Sequence, residues 1–138
     1  MQITSADRDT ILEIIVNDPD DICYGYMFRA IVKNERNPFS GQNDGIHFSA
    51  FDSFLTQFAE FIKTRKGMVA LEMTEGCRLE FFAWNVKGDM GIRAEITTCR
   101  FSSDVQRTIK TSLKLECKLD SEFVNQVYED FAKLKRYS

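Results

Sequence analysis

The stretch MVALEMTEGCRLEFFAWNVKGDMGIRAEITTCRFSSDVQRTIKTSLKLE, Met68–Glu116, alternates apolar and polar residues through four successive segments. A period of two marks β-strands with one buried and one solvated face. Between Met73 and Cys77, Thr74-Glu75-Gly76 suits a three-residue hairpin, with Gly76 in the left-handed bulge position. That loop pairs Met73 with Cys77, Leu71 with Leu79 and Val69 with Phe81, and sets Glu72 opposite Arg78 on the other face. A two-residue turn would oppose Leu71 to Glu80 and mix the faces, so it is rejected.

The next loop falls around Lys87-Gly88-Asp89-Met90. Matching faces across it pairs Asn85 with Ile92, Ala83 with Ala94 and Phe81 with Ile96. Trp84 then lies opposite Arg93 and Phe82 opposite Glu95. In the last hairpin, Ala94 against Leu115 and Ile96 against Leu113 keep one face apolar. The same register pairs Glu95 with Lys114 and Arg93 with Glu116. Opposite charges meeting across strands support it. The outer face therefore reads Glu72, Arg78, Glu80, Arg93, Glu95, Lys110, Lys114, Glu116 and Lys118, with Phe82 and Trp84 in its middle. Trp84 is the only tryptophan of the chain, and Arg93 is placed to stack on its indole.

Outward from this meander, Ile11–Val16 is a short strand ended by the turn Asn17-Asp18-Pro19-Asp20-Asp21. Tyr24, Tyr26, Phe28, Ala30 and Val32 alternate with Gly25, Met27, Arg29, Ile31 and Lys33, a second strand. Asn34–Gly45, rich in Asn, Pro, Gly, Ser and Asp, reads as a loop, and Ile46–Phe48 as a short strand. Ser49 with Asp52 three residues on forms a capping-box signal for a helix carrying Phe51, Phe54, Leu55, Phe58 and Ile62. Lys63, Arg65 and Lys66 suit its C-terminal dipole, and Gly67 is placed to end it. A last helix spans Asp120 to Lys135 with Phe123, Val127, Phe131 and Leu134 on one face. The order β-β-(β)-α-β-β-β-β-α predicts an α+β fold: an antiparallel β-meander sheet with two amphipathic helices packed on one face, all in a single domain, 1–138.

The composition fits that reading: 43% hydrophobic, 28% charged, twelve Phe and only two Pro among 138 residues. A net charge of −3 and dispersed basic residues offer nothing to nucleic acid. Cys23, Cys77, Cys99 and Cys117 lack C-x-x-C spacing and fall in strands, which predicts buried free thiols in a reducing compartment. MQITSADRDTILEIIV has no basic start or cleavage site of a signal peptide, and no apolar run is long enough to span a membrane. The expected location is cytoplasmic.

The usual catalytic and cofactor motifs are absent: there is no G-x-S-x-G, no glycine-rich phosphate loop and no H-E-x-x-H. No catalytic residue, metal site or cofactor is therefore assigned. His47, the single histidine, sits at the mouth of a helix and reads as local structure. Asp18, Asp20 and Asp21 lack EF-hand spacing and read as a solvated turn. For binding, Phe82, Trp84, Arg93 and Glu95 form an aromatic island in a polar surround, the pattern of a protein-binding hot spot. The acidic turn Asp18, Asp20, Asp21 and the segment Asn34–Gly45 are the other places for a partner protein. Two alternatives stay open. Tyr24, Tyr26, Phe28, Phe54, Phe58 and Phe81 can line an apolar small-molecule pocket between sheet and helices, or the outer face can pair with a second copy as a homodimer.

FDSFLTQFAEFIKTRKGMVALEM (Phe51–Met73), EGCRLEFFAWNVKGDMGIRAEIT (Glu75–Thr97) and SLKLECKLDSEFVNQVYEDFAKL (Ser112–Leu134) resemble, in pattern and order, the helix–strand, strand–loop–strand and strand–helix segments of the WapI-like immunity proteins and of a related bacterial domain family. The resemblance covers Ile11 to Lys135. For the immunity members it implies a scaffold that binds and neutralises a cognate toxin domain inside the producing cell, without catalysis. It carries no site residues to transfer.

Overall fold

A computed structural model describes residues 1–18, 20 and 25–134. Among these residues the fold is α+β, with two antiparallel sheets and two helices. The first sheet has the order β1(Gln2–Thr4)-β2(Thr10–Val16)-β3(Tyr26–Val32)-β4(Phe39–Ile46). The second has the order β5(Phe48–Ser49)-β6(Met68–Met73)-β7(Arg78–Ala83)-β8(Met90–Ser102)-β9(Arg107–Leu119). Helix α1 spans Phe51–Thr64 and α2 spans Val124–Lys133.

The four-strand meander and its two covering helices are as the alternation predicts. Phe81, on the inner face of β7, is ringed by Phe54 and Phe58 of α1 and Phe131 of α2, with centroids 6.3, 4.4 and 6.2 Å away. Both helices thus cover one face of the second sheet. The first sheet adds Ile3, Leu12, Ile14, Tyr26, Phe28, Ala30 and Ile46 to the same continuous core. The chain crosses from one sheet to the other at His47, between β4 and β5, where His47 and Thr74 exchange hydrogen bonds. A bridge between Ser5 and Leu119 ties the sheets at another point.

Several expectations need correction. Residues 39–46 form a strand, not a loop, and only the start of Asn34–Gly45 turns, where Asn34 Oδ1 accepts the amides of Arg36 and Asn37. This polar segment is a strand because tertiary pairing overrides its propensity. It pairs with β3, and buried Asn43 donates to the Thr97 carbonyl (2.9 Å) and to Glu75 (2.7 Å). Gly41 lets its backbone lie against Leu113; an added Cβ would sit 3.2 Å from that side chain. Ser49 does not cap α1, because its backbone is paired with Glu72; Ala50, in the left-handed conformation (φ 52°), is the N-cap. The helix stops at Arg65 (φ 55°), before Gly67, with the Arg65 side chain also donating to the Ile62 carbonyl at 2.8 Å. At the other end Asp120 caps a short 3-10 turn, 121–123, so α2 starts later than predicted. That turn leaves Phe123 53% exposed, off the buried stripe of Val127 and Phe131. Lys135 lies outside the described residues.

The β7–β8 register also differs. Leu79 pairs with Ala94, Phe81 with Ile92 and Ala83 with Met90. The turn falls earlier than predicted because Asn85 makes it: its Oδ1 accepts the amides of Lys87 and Asp89, and the Trp84 amide donates to the Asp89 carbonyl. The slip is even-numbered, so the side chains within β7 and β8 keep their faces, while Asn85, predicted opposite Ile92 on the inner face, is exposed in the turn. The β6–β7 and β8–β9 registers, including Arg93 with Glu116 and Glu95 with Lys114, match the predicted ones.

Candidate protein-binding surface

The outer face of the second sheet carries a chain of alternating charges across four strands. Arg78 (β7) pairs with Glu72 (β6) at 2.6 Å and with Glu80. Arg93 (β8) pairs with Glu80 and with Glu116 (β9), both at 2.8 Å. Glu80 sits between the two guanidiniums with its side chain only 6% exposed, whereas Arg78 and Arg93 are 37% and 49% exposed. The hydrogen bond that Arg78 donates to Glu72 holds its guanidinium above the ordinary pKa, and the bond to Glu116 does the same for Arg93. Glu95, half-buried, lies opposite Arg78 and reaches Lys114 at 3.9 Å. A shallow cleft of about 380 Å³ runs over this ladder. Its charges neutralise one another, so it offers a satisfied polar surround, not an open ion site.

Beside the ladder lies the aromatic island. Phe82 and Trp84 are 6.0 Å apart with planes inclined by 33°. The register slip changes their neighbours: Phe82 faces Gly91, not Glu95, and Arg93 faces Glu80. Arg93 consequently stacks on the Phe82 ring, 3.8 Å from its centroid, and not on the indole. Gly91 is what lets the rings lie flat. A Cβ there would come within 2.4 Å of Phe82 Cζ and 2.7 Å of Trp84 Cε3. The two rings thus cover a bare strand glycine, an arrangement that stabilises sheets. Their other sides face outward, with Trp84 41% exposed.

Two residues belong with the island and escaped the sequence reading. Met68, 56% exposed, pairs directly with Phe82, and Val86 stands fully exposed on the adjoining turn. Met68 was discoverable, since it shares the parity of Glu72 in the same strand. Gly91, a glycine inside an alternating strand, was the other available signal.

The remaining predicted positions lie elsewhere. Asp18 and Asp20 are exposed in the connection after β2, on the first sheet, where Asp18 Oδ1 accepts the Asp20 amide at 3.0 Å. Asp21 lies outside the described residues, as do Tyr24 and Cys23. Tyr26, Phe28, Phe54, Phe58 and Phe81 are brought together in the core, each no more than 3% exposed. Phe54, Phe58 and Phe81 touch ring to ring, as in the edge-on Phe58–Phe81 contact, while Tyr26 stacks on Phe48. The thiols divide by position. Cys77 is buried and Cys117 half-buried, but Cys99 is exposed, a correction that follows from β8 running past the rest of its sheet. Burial, with Asp7 and Glu116 nearby, pushes the Cys117 thiol up to about 11. No helix among the described residues is long and apolar enough to cross a membrane. No protein-family model, curated protein or solved structure matches the chain.

Proposed function

We propose that this chain is a non-enzymatic protein-binding domain whose contact surface is the Met68–Phe82–Trp84 platform with Arg93 at its margin. One observation carries the reading. Two aromatic rings, seated on Gly91 and pinned by Arg93, present their outer sides with Met68 amid a charge-satisfied ladder. Aromatic anchors in a polar rim are where binding energy concentrates, and rings already held by the sheet lose little entropy on contact. Self-pairing through this face is the competing use of the same surface.

The resemblance to immunity proteins supplies the partner class: a toxin domain neutralised in the cytoplasm of the cell that makes both. Affinity capture from that cell, repeated with Met68→Glu and Trp84→Glu, tests the reading. The partner should be retained by the native chain and by a Lys63→Glu control on α1, and lost with both platform variants. Retention by all four proteins would sink it.

A further inference from the structure

The β8–β9 hairpin outruns its sheet. β7 pairs with β8 only as far as Arg78↔Glu95, while the β8–β9 ladder continues to Ser102↔Arg107. Along this ribbon, residues 98–111, most side chains are exposed on both faces, Phe101 and Val105 among them. A lone two-stranded ribbon is marginally stable in water, and its edges carry unpaired backbone groups. Its charge is also distinctive. Arg100, Arg107 and Lys110 against Asp104 give +2 in a chain of net −3, leaving −5 for the remainder.

A groove of about 310 Å³ between β1 and α2 has the matching character. Buried Ile3, Leu119 and Val127 line it, and half-exposed Phe123 stands among its walls. Asp120 and Asp130 supply carboxylates, with Arg8 as the single lining cation among the described residues. Among the described residues, β1, which runs along it, is an edge strand paired within its sheet only with β2. We propose that the β8–β9 ribbon of one copy docks in the β1–α2 groove of a second copy. Its cations would meet the groove carboxylates, its exposed apolar side chains the groove floor, and its free backbone edge that of β1. Ribbon and groove are different surfaces, so each copy both gives and receives. Neither includes the Phe82–Trp84 platform, so this contact stands or falls separately from the proposed function.

A charge swap tests it. Light scattering of the native protein should show a mass rising above 16.0 kDa with concentration and falling back on adding salt. Arg100→Glu with Arg107→Glu, and separately Gln126→Lys with Asp130→Lys, should each remain at 16.0 kDa. Mixing the two variants should restore association, because the reversed ribbon now fits the reversed groove. Circular dichroism checks that each variant is folded; Arg100→Gln with Arg107→Gln replaces a ribbon variant that is not, and Asp130→Asn a groove variant that is not, each expected to weaken association. A native protein that stays at 16.0 kDa at every soluble concentration would overturn the proposal. So would variants that associate like the native chain, or a mixture that does not.

Discussion

Phe81 and Phe82 are neighbours in one strand and live in different worlds. Phe81 is fully buried under both helices, in edge contact with Phe58 at 4.4 Å. Phe82 lies on the opposite face, over Gly91 and under Arg93, half open to solvent. The pleat alone separates them. Chemistry of the residue therefore says little about its role here, and parity says nearly everything: one ring is held by other apolar groups, the other by a missing side chain and a cation.

The contrast can be broken most forcefully from the inside. Phe81→Ala should lose about 3–5 kcal/mol of unfolding free energy, read by denaturant melts; a loss as small as that of an exposed residue would remove Phe81 from the core. Gly91→Ala comes next. Its Cβ would collide with Phe82 and Trp84, costing about 1–3 kcal/mol by overpacking. In a Phe82→Ala background the penalty should shrink, so a double-mutant cycle that is additive would show that the rings do not rest on Gly91. Glu80→Ala should cost about 1–3 kcal/mol, since it strips two charged hydrogen bonds. Glu80→Met should be milder because the volume is kept.

Smaller effects sharpen the same division. At neutral pH, alkylation of Cys99 should outpace that of Cys117 by more than about tenfold, because the thiolate is the nucleophile and burial raises the Cys117 pKa. Comparable rates would mean that the inner face opens readily. On the outer side, the Asn85 hydrogen bond and then Lys118 hold the Asp89 carboxylate below its ordinary pKa of 3.8. A depressed folded-state pKa contributes stability above the unfolded value, and that contribution is lost as pH falls through the folded one. Trp84 emission should therefore change below pH 3.8, and Asp89→Asn should abolish the step. A step centred well above that value would contradict the assignment.

Much of this was legible because a period of two survives errors of register. Glu72–Arg78 and Arg93–Glu116 were readable as charge pairs, and the displaced β7–β8 register left the face assignments within the strands intact, Asn85 alone passing from the inner face to the turn. What failed depended on side chains acting on backbone. Asn85 drew its turn forward by accepting two amides, and Asn43 held a loop-like segment in a strand through bonds to Thr97 and Glu75. Neither interaction leaves a periodic trace. At the surface, Phe82 and Trp84 stood out by type, while Gly91, which shapes how they are presented, was marked only as a glycine inside an alternating strand.

Because Trp84 is the only tryptophan, its fluorescence reports on the platform without labelling. Titrating the captured partner into the native protein should shift the emission to the blue and shield it from acrylamide, with Met68→Glu abolishing both changes. Tight partner binding that leaves the emission and quenching of Trp84 unaltered would contradict the assignment of this face as the contact surface.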